Sequence, residues 1–197
     1  MSPAIAGHLT APPPTVESPG TPVLPEFPMP KTLILMRHSI AADPPGARDF
    51  DRPLTTDGRQ LACDTARMLS NLGAVPDSII ASAAVRTHQT AEQTAAQFDS
   101  SPEIQTTQDL YMATASGWWD AIMRFVPVES QTLLVIGHNP AASGLMADLA
   151  GRRLPVPPAT ATVWHLSTDQ WHDVQVLNPS MVRLQHLIVN AQETLPD

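Results

Sequence analysis

Residues 132–140 read TLLVIGHNP and carry the clearest structural signal in the chain. The apolar run at 132–136 is short and unbroken, which is typical of a strand buried on both faces. Asn139 suits the cap of a helix and Pro140 its first position, so the pattern predicts a helix over 140–150. A buried strand that leads directly into a helix is one half of a parallel βαβ unit.

The chain repeats this alternation of buried strand and amphipathic helix on both sides of that stretch. Two late strands with alternating polarity indicate an antiparallel edge, while 181–189 is compatible with either a strand or a helix. The pattern therefore predicts an α/β fold, a three-layer α/β/α sandwich with a mostly parallel sheet and helices on both faces. The predicted strands are 32–36, 78–82, 103–107, 162–166 and 174–177, and the remaining predicted helices are 57–72, 85–98 and 116–126.

The composition excludes several classes of protein. Eleven basic against 19 acidic residues leave a net charge of −8 in 197 residues, so we expect neither a nucleic-acid nor an anionic-membrane partner. The single cysteine, Cys63, excludes an intrachain disulfide and a cysteine-based zinc site. No apolar run approaches the roughly 18 residues that a membrane-spanning helix needs.

The first 30 residues differ from the rest, because they hold nine of the 21 prolines and only two charged side chains. Such a segment lacks the periodicity of an element, and we interpret it as a disordered or loosely docked tail. A solvated tail is favoured over a proline-rich ligand for an adaptor domain, since composition alone carries no specificity. The segment lacks the pattern of a secretory signal, so a cytoplasmic location is expected, with 31–197 forming a single domain.

Basic side chains follow three of the predicted strands. Arg37 and His38 come after the first strand, Arg86 lies shortly after the second, and His138 follows the run at 132–136. Ligands of α/β sheets collect beyond the carboxyl ends of the strands, so these four side chains are expected to meet. Guanidinium forks, with backbone amides at the helix start near Asn139, match the oxygens of phosphate, and an imidazole can attack phosphorus.

Four blocks of sequence, in order, resemble the histidine phosphatase superfamily. They are LMRHS at 35–39, DRPLTTDG at 51–58, SAAVRTHQTA at 82–91 and VIGHNP at 135–140. In its RPLT-type block and its lack of a large insertion, the chain is most similar to the small SixA-type phosphohistidine phosphatases. The resemblance covers about residues 31–178 and implies a phosphoglycerate mutase-like fold.

The resemblance also implies roles for the four basic residues. His38 would be the nucleophile that becomes phosphorylated, Arg37 and Arg86 would hold the phosphoryl oxygens, and His138 would stabilise the developing charge. No metal or other cofactor is implied, because side chains supply the positive charge. His38 must attack as a neutral imidazole, and the neighbouring cations disfavour its protonation.

Three positions are less well determined. Ser39 stands where the family often has glycine, and a small residue there is compatible with close approach. Arg52 could hold the phosphate as a third guanidinium, or it could pair with Asp49 or Asp51. Asp109 is the candidate general acid, although a phosphohistidine has a nitrogen leaving group that can already carry its own proton.

Three functions follow from these patterns. The first is a phosphatase acting on a phosphohistidine of a phosphorylated protein, which a shallow site on a small domain would admit. The second is a phosphomonoesterase or mutase acting on a small phosphorylated substrate, which needs a positioned acid and a lid; Asp109 and the loop at 40–54 are the candidates. The third is a phosphate-binding scaffold without activity. The oligomeric state is left open.

Overall fold

A seven-stranded mixed sheet forms the centre of the protein. The computed structural model describes residues 29–176 and 178–194, so nearly all of the predicted tail lies outside the described residues. The strands follow the order β3-β2-β4-β1-β5-β6-β7 across the sheet. They are β1 Lys31–Arg37, β2 Ser78–Ser82, β3 Glu103–Thr107, β4 Thr132–Gly137, β5 Ala161–Leu166, β6 Val182–Val189 and β7 Gln192–Thr194.

Helices cover both faces of the sheet, which confirms the predicted three-layer α/β/α sandwich. Successive residues of β1 point to opposite faces, so Leu33 and Leu35 enter one core while Ile34 and Met36 enter the other. The first core packs against α3 and α4, and the second packs against α1 and α2. The helices are α1 Thr56–Asn71, α2 Val85–Ala95, α3 Ala115–Phe125 and α4 Ala141–Ala150.

Parallel pairing of three strands brings their carboxyl ends to one edge. Strand β4 lies between β1 and β2, with Arg37 of β1 opposite Gly137 of β4. The backbone N–H of His38 continues this pairing by donating to the Gly137 carbonyl at 2.8 Å. His38 and His138 therefore leave the sheet from neighbouring positions.

The antiparallel edge is present, but one of its predicted strands is wrong. Residues Trp171–Val176 form a 3₁₀ helix rather than part of a strand, and residue 177 is outside the described part of the chain. A 3₁₀ turn places residues three apart on one side, so Trp171 and Val174 are both buried. The edge is instead made by β5, β6 and β7, and the ambiguous segment at 181–189 is largely strand.

The predicted helix boundaries shift by one residue in α1, in α3 and at the start of α4, and by three residues at the end of α2. Helix α2 ends at Ala95 rather than at 98, and Pro140 is the N-cap of α4 rather than its first residue. Asn139 still supports the start of this helix, because its side-chain oxygen accepts the backbone N–H of Ser143 at 3.2 Å. None of the helices in the described segments has both the length and the apolar character needed to cross a membrane.

An added methyl group is expected to destabilise the protein at Gly137 and to stabilise it at Gly144. A Cβ at Gly137 would clash with the buried ring of Trp118, whereas a Cβ at Gly144 would lie 3.5 Å from the Cβ of Ala115. We expect Gly137→Ala to lower the free energy of unfolding by about 1–3 kcal/mol through overpacking. Gly144→Ala should raise it by up to about 1 kcal/mol through helix propensity. Urea unfolding followed by circular dichroism measures both, and equal stability of the two variants would contradict this account.

Candidate active site

The His38 ring is held as one tautomer. Its Nδ1 lies 2.7 Å from the carbonyl oxygen of Ser39, and a carbonyl can only accept, so Nδ1 carries the proton. The lone pair on Nε2 then accepts from Nε of Arg86 at 3.3 Å. Burial, helped by the Arg86 and Arg37 cations and opposed by the Ser39 hydrogen bond, lowers the pKa of His38 to about 4. His38 is therefore a neutral imidazole at neutral pH, and its Nε2 lone pair accepts the Arg86 hydrogen bond.

Arg86 lies at the centre of the cluster and is nearly buried, with 6% of its surface exposed. One edge of its guanidinium faces the two imidazoles, because Nε contacts His38 and Nη2 lies 3.3 Å from Nδ1 of His138. The other edge holds Asp49, with Nη1 donating to the backbone carbonyl and Nη2 to the carboxylate at 2.9 Å. Asp49 thus orients the fork while leaving its inner edge toward the imidazoles.

His138 is also neutral and is held from its far side. Its Nε2 lies 2.9 Å from Oγ of Ser82 and 3.2 Å from Oγ1 of Thr87. Since a guanidinium only donates, Nδ1 accepts from Arg86 and Nε2 carries the proton. Burial, followed by the fields of His38 and Arg86, lowers the pKa of His138 to about 3. The His38 and His138 ring centroids are 5.1 Å apart, so both imidazoles border one space.

Arg37 contributes charge and a free donor to the same region. Its Nη1 donates to the Val156 carbonyl at 2.9 Å, while its Nε is buried without a hydrogen-bond partner among the described residues. The Arg37 charge helps to lower the pKa of both His38 and His138. A buried donor of this kind is suited to an anion.

Asp49 and Tyr111 join two loops across the mouth of the site. The Tyr111 hydroxyl donates to the Asp49 carboxylate at 2.9 Å, and its ring packs edge-on against His138 with a centroid distance of 5.5 Å. Burial alone would raise the pKa of the Asp49 carboxyl, but hydrogen bonds from Tyr111 and Arg86 outweigh it and lower the pKa to about 2. Asp49 is therefore an ionised carboxylate over a wide pH range.

A cavity of about 610 Å³ opens onto this cluster. Arg86 and His138 form its inner wall, and Asp49 and Tyr111 line its mouth. Asn139 lies in the lining as well, where its Nδ2 donates to the Val156 carbonyl at 3.2 Å. His38 and Arg37 are not among the described residues that line this cavity, and His38 lies behind its inner wall in contact with Arg86 and His138.

The structure brings Arg52 to the edge of the cluster as an ion-paired group. Its guanidinium contacts Asp43 and Asp49, each at 3.2 Å, while Asp51 pairs with Arg48 instead. The Arg52 charge still helps to lower the pKa of His38. A direct contact between Arg52 and phosphate stays a prediction.

The structure does not bring Asp109 to the cluster. Its carboxylate forms an exposed ion pair with Arg124 at 2.8 Å, and Asp109 is not among the described residues that line the cavity. The reason is a short 3₁₀ turn that starts at Thr107, whose side chain accepts the Asp109 backbone N–H. This turn directs Asp109 outward and leaves Tyr111 facing the site.

Sequence reasoning assigned no role in the site to four residues that surround Arg86 and His138. Asp49 contacts Arg86, and Tyr111 donates to Asp49. Ser82 and Thr87 contact His138. None of these four residues forms a recognisable motif of its own. Ser82 and Thr87 do fall inside the block at 82–91, which was the available signal. Within the described segments, no group of three or more His, Cys, Asp or Glu residues could hold a metal ion.

Comparison with protein families and solved structures places the chain among known proteins. A model of the histidine phosphatase superfamily (branch 1) matches residues 33–118. The SixA protein of Agrobacterium tumefaciens is 27% identical with a TM-score of 0.66, over 81% of this chain and 99% of its own. The SixA protein of Nakamurella multipartitia is 26% identical with a TM-score of 0.69, over 80% and 95% of the two chains.

Relatives without an assigned role also match. An uncharacterised chloroplastic protein of Arabidopsis thaliana is 27% identical over 80% of this chain and 77% of its own length. An uncharacterised protein of Mycobacterium tuberculosis is 35% identical over 58% of this chain and 70% of its own. The segment that the family model matches contains His38 and Arg86.

The buried neutral imidazoles predict a steep loss of stability in acid. Both pKa values lie below that of an unfolded histidine, so the unfolded state takes up protons first as the pH falls below about 6.5. Each imidazole then costs about 1.4 kcal/mol of unfolding free energy per pH unit, until the pH reaches the folded pKa. We expect His138→Asn to reduce the slope between pH 6 and 4.5 by about this amount in urea unfolding. An unchanged slope would show that His138 is not held neutral.

Proposed function

We propose, from the premise that this chain belongs to the histidine phosphatase superfamily, that it hydrolyses phosphohistidine on a phosphorylated protein through a phosphohistidine intermediate at His38. Its architecture is of the SixA type. The observation that carries the proposal is the His38 ring, whose Nδ1 proton is held by the Ser39 carbonyl and whose Nε2 lone pair lies 3.3 Å from Arg86. A phosphoryl group bound by Arg86 would lie in reach of that lone pair.

In the first step, Nε2 of His38 attacks phosphorus in line with the leaving nitrogen. A bond forms between Nε2 and phosphorus and the bond to the substrate nitrogen breaks. Its electron pair returns to the substrate imidazole, whose other nitrogen carries a proton, so the ring leaves as a neutral group. In the second step, the oxygen of water attacks phosphorus, the bond to Nε2 breaks and its electron pair returns to His38, and the protons of water leave with inorganic phosphate. The proton stays on Nδ1 of His38 throughout, donated to the Ser39 carbonyl, which keeps the ring in the reactive tautomer.

The positive charge for both steps comes from side chains. The inner edge of Arg86 faces His38 and His138, so it would bind two phosphoryl oxygens as the fork contact requires. The buried Nε of Arg37 supplies another donor. His138 lies across the same space, and a bound phosphoryl dianion would favour protonation of its Nδ1. Such preorganised donors commonly supply the largest share of catalysis.

Neither Asp49 nor Asp109 is suited to give a proton to an oxygen leaving group, and this favours a substrate with a nitrogen leaving group. An alkoxide leaving group needs a proton from the enzyme, whereas the imidazole of a phosphohistidine can leave as a neutral group. Asp49 is ionised, and Asp109 is paired with Arg124 outside the cavity. The protein histidine phosphatase SixA, solved with tungstate bound, shares this fold at a TM-score of 0.66 and 18% identity. These features support phosphohistidine rather than a phosphate monoester as substrate.

Trapping the intermediate tests the proposed mechanism. Brief incubation with a radiolabelled phosphohistidine protein should leave acid-labile, base-stable phosphate on the enzyme, mapped to His38 by mass spectrometry. His38→Asn should abolish both label and turnover, and circular dichroism should show that it stays folded. A chelator should change neither the amount of trapped label nor the rate of turnover. Label on another residue, or turnover by His38→Asn, would refute His38 as the nucleophile.

Paired variants test the roles of Arg86 and Asp109. We expect Arg86→Ala to lower kcat/KM for a phosphohistidine protein by on the order of 100-fold, because an oxyanion donor is lost. Asp109→Asn should stay within about twofold of wild type, because its carboxylate faces Arg124. Loss of all turnover in Asp109→Asn, or faster turnover of simple phosphate monoesters, would instead support the small-molecule phosphatase. Phosphate binding without any turnover would support the scaffold.

A further inference from the structure

The cavity extends well beyond the space that a phosphoryl group would fill. Its inner end is formed by Arg86 and His138, and its outer part lies between the segment after β3 and the start of α4. This outer part is called the apolar shelf below. Small or apolar residues form it, and they are Met112, Ala113, Ala115, Pro140, Ala141 and Gly144.

The polar groups beside the apolar shelf already have partners. The Tyr111 hydroxyl donates to Asp49, and Oγ1 of Thr114 accepts the Gly117 backbone N–H at 3.1 Å and lies 2.9 Å from Oγ of Ser116. A ligand on the shelf would therefore meet mainly carbon atoms. Ligand sites of this size typically combine an apolar lining with a few polar groups that set the orientation.

The charged residues that line the cavity can balance a single anionic group on a ligand. Among the described lining residues, Arg86 is the only Lys or Arg, and its outer edge is paired with the Asp49 carboxylate. The inner edge of Arg86 contacts only the neutral imidazoles of His38 and His138, so it is the edge without a counter-charge that a phosphoryl group would meet. A second anionic group on the same ligand would find no cation on the shelf and would approach the charge of Asp49.

We infer that the apolar shelf is a subsite for the leaving group of the phosphoryl donor, which must be uncharged and mainly apolar. The inference rests on the proposed function and adds the substrate class to it. An aromatic or aliphatic group attached to the phosphoryl group gains by leaving water for the shelf. A group with a second carboxylate or phosphate loses its hydration there without gaining a partner. The site is thereby selective against bisphosphates and phosphorylated carboxylic acids.

Binding of stable phosphonates tests this subsite without turnover. Titration calorimetry on the full chain would compare methylphosphonate, phenylphosphonate and phosphonoacetate, which share a phosphoryl-like head. Phenylphosphonate should bind about tenfold more tightly than methylphosphonate, equivalent to about 1.4 kcal/mol of apolar burial. Phosphonoacetate should bind no better than methylphosphonate. Phosphonoacetate binding as tightly as phenylphosphonate would overturn the inference.

Variants of the shelf locate the effect. Met112 is 83% exposed, so Met112→Lys should fold normally. The added cation should improve phosphonoacetate binding at least threefold. The matched uncharged control, Met112→Gln, should leave phosphonoacetate binding unchanged. Gly144→Val should remove the advantage of phenylphosphonate by filling the shelf. Ala147→Val adds similar bulk to α4 outside the cavity lining and should leave all three affinities unchanged.

The outcomes separate this inference from the proposed function. Binding of methylphosphonate, combined with no gain from the phenyl group or equal losses in Gly144→Val and Ala147→Val, would refute the shelf alone. Failure of all three phosphonates and of inorganic phosphate to bind would refute the phosphoryl site itself, and the shelf inference would fall with it.

Discussion

The parallel pairing of β1 with β4 is the constraint on which the site depends. It sets Arg37 opposite Gly137, so that His38 and His138 leave the sheet side by side with their rings 5.1 Å apart. Strand β2 lies on the other side of β4 and leads into α2, whose first turn carries Arg86 between the two imidazoles. A shift of one residue in this register would turn these side chains to opposite faces of the sheet.

The site concentrates positive charge within an acidic chain, and burial keeps that charge on the guanidiniums. Burial lowers the pKa of both imidazoles, so neither ring competes with Arg37 or Arg86 as a cation before an anion arrives. Asp49 offsets part of the charge on Arg86 and fixes the direction of its fork. The same neutrality that costs stability in acid leaves His38 with the lone pair that a nucleophile needs.

Selectivity follows from what surrounds the cationic cluster. Tyr111 and Asp49 close one side of the mouth, and the small residues at the start of α3 and α4 leave an uncharged space on the other. A phosphoryl group would meet the inner edge of Arg86, and whatever is attached to it would meet mainly carbon. Charge thus selects the head of the substrate, and the loss of hydration selects its leaving group.

The sequence alone determined most of the fold, because unbroken apolar runs and 3.6-residue periodicity are local signals. It also predicted that Arg37, His38, Arg86 and His138 meet, since each lies next to the end of a strand or in a matched block, and the structure brings His38, Arg86 and His138 into contact. Tertiary structure alone decided that 171–176 is a 3₁₀ turn, and that Asp49 and Tyr111 rather than Asp109 face the cavity. Those side chains lie on loops, where direction depends on one cap or one long-range contact, and no periodic pattern along the chain records it.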